Sequence, residues 1–394
     1  MKKIAMLLIP VILLVTFSSC AETKPIAGNI TGNYIVQLKA GETIPDSVNA
    51  ELIFPEADVW LAQSLKDVKA MGDAVLSYSP ERYMELLDYP ETTDDTYFDS
   101  QWGLSAVNAA FARELDIRGE NVTVAVIDSG IDRNNPDFDS DRILPGMDLV
   151  ATNRPYDPSD TSDPYVGHGT MVAGIIAAKI NNGELLAGIA DKVNILPLRI
   201  TVTGIVAEGF VIRALRYALD YGCDVVNLSM GVSGKPLAEM QACVDRLIEN
   251  GIIVIAAAGN AGSSSLTYPA GLDGVIGVGS VTSDLEHSSF SNHNSSVFCV
   301  APGSDAVGLK NNDYTSVKTG NGTSYSAPMV SAAAALVKSI DPELTPDEFK
   351  QLLIDSCTDL GEPGYDEYFG YGLLNIQKML EIQLEKLGYP VTAD

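Results

Sequence analysis

Five short apolar runs, rich in β-branched residues and separated by longer amphipathic stretches, constrain the fold of this chain more than any other feature. They stand at 122–127, 193–198, 224–228, 252–257 and 275–281. Each run is apolar at consecutive positions rather than alternate ones. A strand with two apolar faces must be covered on both sides, which is the situation of strands in a parallel sheet. The stretches at 168–180, 208–221, 237–250, 327–340 and 345–355 read as helices, and so does a last one near 373–387. This alternation predicts an α/β fold with helices on both faces of a mostly parallel sheet. No internal repeat interrupts it.

The 394 residues allow one large domain and a smaller one. Lys2 and Lys3 precede an apolar run from Ile4 to Phe17, too short for a span of about 20 residues but suited to an export signal. The run ends in Phe17-Ser18-Ser19-Cys20, and small residues before a cysteine resemble a bacterial lipoprotein signal. In that reading residues 1–20 are removed up to Cys20, which carries a lipid and anchors the chain to a membrane. The other reading is a plain secretory signal cut nearby. Both place the working protein outside the cytoplasm.

Residues 21–33 form a polar tether, and 34–87 read as a small α+β unit. That unit has a strand from Tyr34 to Leu38, a helix from Val59 to Met71 carrying Leu61, Leu65 and Val68, and a strand from Ala74 to Tyr78. Residues 88–99 are acidic and read as an exposed linker, and 100–394 form the α/β domain.

Acidic residues outnumber basic ones by 52 to 25, a formal charge of −27, which argues against a phosphate-binding surface and hence against a nucleic-acid partner. Beyond Cys20 the cysteines are Cys223, Cys243, Cys299 and Cys357. No two are spaced as a zinc site requires. Cys223 and Cys299 adjoin or lie within apolar runs, so most of the four read as buried thiols. If they pair, three connectivities are open.

Four polar residues stand where chemistry is expected. Asp128 follows Val122-Thr-Val-Ala-Val-Ile, at the carboxyl end of a buried strand, where open α/β sheets place their sites. Read alone, with Gly130 and Asp132 beside it, it is equally a turn former. His168, between Gly167 and Gly169, opens an apolar helix. A helix N-terminus disfavours imidazolium, so a proton-accepting histidine there needs a carboxylate partner, and Asp128 can supply one. The other histidines, His287 and His293, lie in a Ser/Asn-rich loop and read as surface residues. Ser324 begins a helix, whose free N–H groups and partial positive charge favour an oxyanion. Read alone it is a helix cap, and Ser326 is its rival by position. Pro328, four residues on, should tighten or kink the first turn. Asn260 ends Ile255-Ala-Ala-Ala-Gly-Asn, where its amide serves either a turn or an oxyanion. Together, a carboxylate, an imidazole and a hydroxyl make a hydrolytic triad, in which the imidazole takes the serine proton and the carboxylate fixes the imidazole.

The segments Val-Ile-Asp-Ser-Gly-Ile-Asp at 126–132, His-Gly-Thr-Met-Val-Ala-Gly at 168–174 and Gly-Thr-Ser-Tyr-Ser-Ala-Pro at 322–328 resemble, in this order, those of the subtilisin family of serine proteases. The resemblance spans about residues 98–380. It implies a three-layer α/β/α fold, Ser324 rather than Ser326 as nucleophile, Asn260 as the side-chain oxyanion donor, and hydrolysis of protein or peptide substrates through an acyl-enzyme, with no cofactor in the chemistry.

The resemblance further implies that Ser229, Met230 and Gly231 line one side of the cleft. Ala257, Ala258 and Gly259 would form the other wall of the pocket for the residue before the cut, with Thr267 near its floor. That lining is small and apolar, which suits an apolar substrate residue. A second edge strand is expected from Gly204 to Val206. Asp137 matches a family calcium ligand, and Asn181 lies in the matching second loop. The small unit resembles a propeptide, a folding aid and inhibitor released by a cut between about Leu87 and Asp99, ahead of the mature-like Gln101-Trp-Gly-Leu. Two narrower readings stand beside a general endopeptidase: a processing protease dedicated to one exported peptide, and a non-catalytic peptide-binding surface protein. The full triad speaks against the second.

Overall fold

The computed structural model describes residues 30–39, 42–45, 47–54, 59–82, 93–150, 159, 167–235 and 237–389. The export-type segment, Cys20 and most of the tether lie outside the described residues, as do 83–92.

Near the amino terminus four antiparallel strands, β1 (Ile30–Leu38), β2 (Ala50–Phe54), β3 (Val59–Ala62) and β4 (Val75–Arg82), run in the order β2-β3-β1-β4. Helix α1 (Leu65–Met71) packs on them, and Val36, Val68 and Met71 share a small core. The expected helix from Val59 to Met71 is split. Its first four residues pair with β1 on one side and β2 on the other, so the sheet takes up their backbone groups. The helix starts only after Ser64, whose hydroxyl accepts the Asp67 N–H at 3.3 Å as a cap.

The larger domain adds strands β5 (Thr123–Asp128), β6 (Met147–Asp148), β7 (Asn194–Arg199), β8 (Val225–Leu228), β9 (Val232–Ser233), β10 (Ile253–Ala257), β11 (Thr267–Tyr268), β12 (Ile276–Val281), β13 (Val297–Pro302), β14 (Ala306–Leu309) and β15 (Val317–Gly320). Its helices are α2 (Trp102–Ala106), α3 (Ala110–Glu114), α4 (His168–Ala177), α5 (Glu208–Tyr221), α6 (Ala238–Glu249), α7 (Thr323–Ile340), α8 (Pro346–Ser356) and α9 (Ile376–Lys386). Seven strands form one parallel sheet in the order β13-β12-β10-β8-β5-β7-β6. Alternate side chains of a strand point to opposite faces. Val124 and Val126 of β5 therefore join one core with α4 and α7, while Ala125 and Ile127 join the other with α5 and α6. That is why the run is apolar throughout, and it makes the domain a three-layer α/β/α fold. From β5 the chain fills β6 and β7 on one side of it and then crosses to β8 on the other, so the carboxyl ends of β5 and β8 flank a topological switch point.

Helix α7 runs through the middle of one face, with Ala332, Ala333, Ala334 and Ala335 all fully buried. Small residues let the helix lie close to β8, β10 and β12 and carry Ser324 to the sheet's rim.

Two expectations about surface are corrected. Residues 94–99 are not a free linker. The Thr96 N–H donates to Glu184 O at 2.7 Å and the Tyr97 N–H to Leu185 O at 2.9 Å, and Asp95 is buried, accepting the N–H groups of Asn181 and Asn182. His287 and His293 are half-buried rather than loose on the surface, because the Tyr368 ring stacks flat on His293 and meets His287 edge-on. The cysteines follow expectation. Cys223, Cys299 and Cys357 are buried, Cys243 is half-buried, and all four are thiols. Burial pushes the Cys223 thiol up to about 12, which leaves it unreactive.

Because α7 is packed on every side, Ala333→Leu should destabilise the domain by about 1–3 kcal/mol through overpacking. The urea midpoint should fall while the slope of the transition stays unchanged.

Candidate active site

Asp128 is the last residue of β5 and His168 the first of α4. The imidazole Nδ1 lies 2.9 Å from Asp128 Oδ1 and 3.0 Å from Oδ2. A carboxylate only accepts, so Nδ1 carries the proton and Nε2 is the basic nitrogen. The carboxylate is itself held, since the Ser129 N–H donates to Oδ1 at 2.7 Å. Helix α4 reaches this close because residue 169 is glycine: a Cβ there would sit 2.2 Å from Gly130 O and 3.1 Å from Asp128 Cβ. The Gly169 N–H donates to Ser129 Oγ at 3.0 Å, locking the helix start onto the strand end. On its other side the imidazole faces the Tyr325 ring, with centroids 5.7 Å apart. The Lys318 ammonium donates to Gly167 O at 2.7 Å, so the hairpin of β14 and β15 also bears on this end of α4.

Ser324 lies in the first turn of α7, and its Oγ donates to Ser229 O at 2.9 Å. Pro328 sits inside the helix without breaking it. A proline lacks the N–H that would have bonded the carbonyl four residues back, which here is that of Ser324. The Ser229 hydroxyl donates to that carbonyl instead, at 2.8 Å. Ser229 Oγ in turn accepts from Asn227 Nδ2, and Ser331 of α7 donates to Asn227 Oδ1, both at 2.9 Å. A buried polar chain thus ties the serine turn to the end of β8. Ser326 donates to Ala301 O and is fully buried, facing away from the cleft.

Asn260 follows β10 by way of Ala258 and Gly259. Its Oδ1 accepts both the Thr323 N–H at 2.8 Å and the Thr323 hydroxyl at 2.9 Å. The amide orientation is therefore fixed, and Nδ2 is directed toward Gly322, where an added Cβ would lie 3.3 Å from it. A preset donor beside a serine at a helix N-terminus is what an oxyanion requires.

The pocket residues carried by resemblance also come together. Added Cβ atoms at Gly231 and at Gly259 would lie 2.3 Å and 2.7 Å from Thr267 side-chain atoms, so both walls meet Thr267. Ala257 and Ala258 are buried in one core, and Met230 packs against the other. Strand β9, just after Gly231, pairs with β11, which carries Thr267.

The expected edge strand from Gly204 to Val206 does not form. Gly204 has φ +81, which breaks the extended run, and the Thr201 hydroxyl closes a turn onto Ile205 O at 2.8 Å. Ile205 is left 83% exposed. Sequence reasoning does not single out the side chains of Asn227 and Asn292. Asn227 is the one polar residue in the apolar run Val225–Leu228, and Asn292 lies in a Ser/Asn-rich loop, so neither has a visible partner until the chain is folded.

Asp137 is fully buried, and its oxygens accept from Asn182 Nδ2 at 3.1 Å and the Leu186 N–H at 2.9 Å. Burial pushes its carboxyl up to about 6, with buried Asp95 adding to the effect. Asn181 does not face it, since its Oδ1 accepts the Asp94 N–H. Asn182 occupies the position expected of Asn181.

With the geometry in place, the comparisons with known proteins agree with it. The subtilase family model matches residues 119–372. The chain belongs to the subtilase family and is a subtilisin-like serine endopeptidase, a hydrolase that needs no cofactor for its chemistry. It is 33% identical over 282 residues to subtilisin DY of Bacillus licheniformis, covering 70% of this chain and 97% of that one. It is 35% identical over 285 residues to subtilisin E of Bacillus subtilis, covering 70% of each. The major intracellular serine protease of B. subtilis is 33% identical over 271 residues, covering 67% of this chain and 79% of that protein. A solved protease structure from Pseudoalteromonas arctica superimposes with a TM-score of 0.68 at 27% identity, covering 74% of this chain and 99% of that one.

Ser229→Ala should leave the half-buried Ser324 carbonyl without this donor and lower stability by about 1 kcal/mol. Pro328→Ala in the same chain supplies the missing N–H and should recover part of that loss, as read by thermal denaturation of the two variants side by side.

Proposed function

We propose that this endopeptidase cuts peptide bonds with Ser324 as nucleophile, His168 as general base and acid, Asp128 as its orienting carboxylate and Asn260 as oxyanion donor. The observation that carries the assignment is the pair of contacts from His168 Nδ1 to the Asp128 carboxylate, at the rim where Ser324 opens α7. In this proposal Ser324 Oγ, which here donates to the Ser229 carbonyl, turns about the Cα–Cβ bond to donate to the imidazole. Oγ then attacks the scissile carbonyl while Nε2 takes its proton, and the Nδ1–H bond to Asp128 stabilises the imidazolium. The oxyanion receives hydrogen bonds from Asn260 Nδ2 and the Ser324 N–H. The imidazolium returns the proton to the leaving amine, and water, deprotonated by the same nitrogen, opens the ester.

Substrate is proposed to lie between Ser229–Gly231 and Ala257–Gly259, pairing its backbone with the first and resting a side chain against the second. Gly204 and its neighbours would join only by straightening around a bound peptide. The small lining favours an apolar residue before the cut. Cleavage of a mixed peptide library separates a general enzyme from one dedicated to a single exported peptide.

Ser324→Ala should lower kcat by about 10⁶, and Asn260→Ala by about 10²–10³ with KM little changed. Both magnitudes are those of the equivalent substitutions in subtilisin, a relative of this chain, and are carried over to it with the shared site. Equal casein hydrolysis by wild type and a processed, purified Ser324→Ala protein would end the proposal.

The loop around Asp137 suits a hard cation. Two buried carboxylates, Asp95 and Asp137, share it, and Lys179 offsets their charge only in part. Among the described residues no cluster of three His, Cys, Asp or Glu side chains is formed, but calcium also takes amide and carbonyl oxygens. We assign structural calcium to Asp95, Asp137 and carbonyl oxygens of the 181–186 loop, where the Asn182 amide donates to Asp137. The ion would tie residues 94–95 to the domain and has no part in the acyl-transfer steps. Calcium at 100 times its dissociation constant should add about 2.7 kcal/mol, or roughly 5–10 °C in Tm. EGTA should remove that gain, and Asp95→Asn should abolish its dependence on calcium.

The small unit of β1–β4 and α1 is proposed as a propeptide. Because residues 94–99 are built into the larger domain, a cut that releases the propeptide falls before Asp94. Export rests on residues 1–20, with Cys20 as a lipid anchor or a plain signal cut near it. Among the described residues no helix is long and apolar enough to cross a membrane. Since one relative is named as intracellular, family membership alone does not decide the compartment.

A further inference from the structure

Asn292 lies in the loop between β12 and β13, remote in sequence from every residue assigned above, and is 1% exposed. Its side chain spends all its hydrogen-bonding capacity on the cleft. Nδ2 donates to Ala258 O at 3.1 Å and to Thr267 Oγ1 at 2.9 Å, and reaches Ser265 O at 3.5 Å. Oδ1 accepts the Ala261 N–H at 3.0 Å and the Ser263 N–H at 3.4 Å. Its backbone N–H donates to Gly259 O at 2.9 Å.

Two of these bonds fall on Gly259 and Ala261, the residues on either side of Asn260. A third falls on Ala258 in the pocket wall and a fourth on Thr267 at its floor. Gly259 has φ +107, a conformation that favours glycine, and a Cβ there would lie 2.4 Å from Asn292 Nδ2. The backbone carrying the oxyanion donor is therefore pinned from behind by one residue, whose side-chain amide supplies every one of these bonds except that to Gly259 O. That amide is held in one orientation, because its oxygen faces only N–H donors and its nitrogen faces carbonyls and the Thr267 hydroxyl.

We infer that Asn292 is a positioning residue for the reaction, setting the place of the Asn260 amide and the width of the pocket before the cut, without touching substrate. The inference rests on the role of Asn260 proposed above. A donor must sit within a few tenths of an ångström of the oxyanion's position to act at full strength. Loss of the clamp should thus reduce kcat through Asn260 rather than through binding at large.

The test is a double-mutant cycle of Asn292→Ala and Asn260→Ala, assayed on a peptide p-nitroanilide well below the Tm of every variant, with circular dichroism to verify folding. Asn292→Ser, which keeps a hydroxyl at the site, serves as a milder variant should Asn292→Ala fail to fold. If the inference holds, Asn292→Ala lowers kcat by about 10- to 100-fold in the wild-type chain but by less than about 3-fold once Asn260 is absent, since the two changes remove one interaction. Preference among peptides differing only in the residue before the cut should also broaden. Equal fold-losses in both backgrounds, or an unchanged kcat in a folded Asn292 variant, would overturn the inference. If Asn260→Ala itself leaves kcat unchanged, the failure lies instead with the oxyanion role of Asn260.

Discussion

The contact between His168 Nδ1 and the Asp128 carboxylate is the constraint from which the rest of the site follows. It joins the end of a central strand to the start of a helix that arrives some forty residues later in the chain. Two opposed requirements meet there. The carboxylate must be buried to hold the imidazole firmly, and a buried charge needs hydrogen-bond partners. Asp128 satisfies both through His168 and the Ser129 N–H. The approach is short enough only because Gly169 presents no Cβ to Gly130 O. One missing carbon thus decides whether strand and helix can share a proton.

The serine turn solves a different problem. A helix that brings the proposed nucleophile to the rim in its first turn and still packs on all sides has little room for error. Pro328 removes an N–H from that turn, and the Ser229 hydroxyl fills the gap from the neighbouring strand end. The chain from Ser331 through Asn227 to Ser229 then ties the turn to the sheet by side chains rather than by the helix's own ladder. Asn260 is held in the same manner, its oxygen occupied by Thr323 so that its amide hydrogens face the cleft. The groups proposed for catalysis are placed by second partners whose own hydrogen bonds are complete, which suits a site that must not reorganise during reaction.

The loop around Asp137 shows how acidic residues can organise rather than repel. In a chain of net charge −27, most carboxylates serve solubility at the surface. Asp95 and Asp137 are instead buried on one loop, where backbone N–H groups and the Asn182 amide partly neutralise them. The segment that carries Asp95 is thereby drawn into the domain, and the boundary between the small unit and the large one shifts toward the amino terminus.

The sequence by itself determined the α/β class, the parallel sheet and the kinship with subtilisins, because these depend on local pattern: strands apolar on both faces, helices between them, and small residues packed around Asp128, His168 and Ser324, the triad proposed above. It even placed α5 at its observed limits. It misread Val59–Ala62, where pairing with two neighbouring strands outweighed helical periodicity, and it read 94–99, His287 and His293 as surface because polar residues carry no mark of what will cover them. Only the tertiary structure decided that Asn182 rather than Asn181 faces Asp137, that 204–206 turns instead of extending, and that Asn227 and Asn292 hold the cleft together. The physical reason is the same in each case. A hydrogen bond between distant residues depends on where the chain returns, and one asparagine looks like another until a partner is set opposite it.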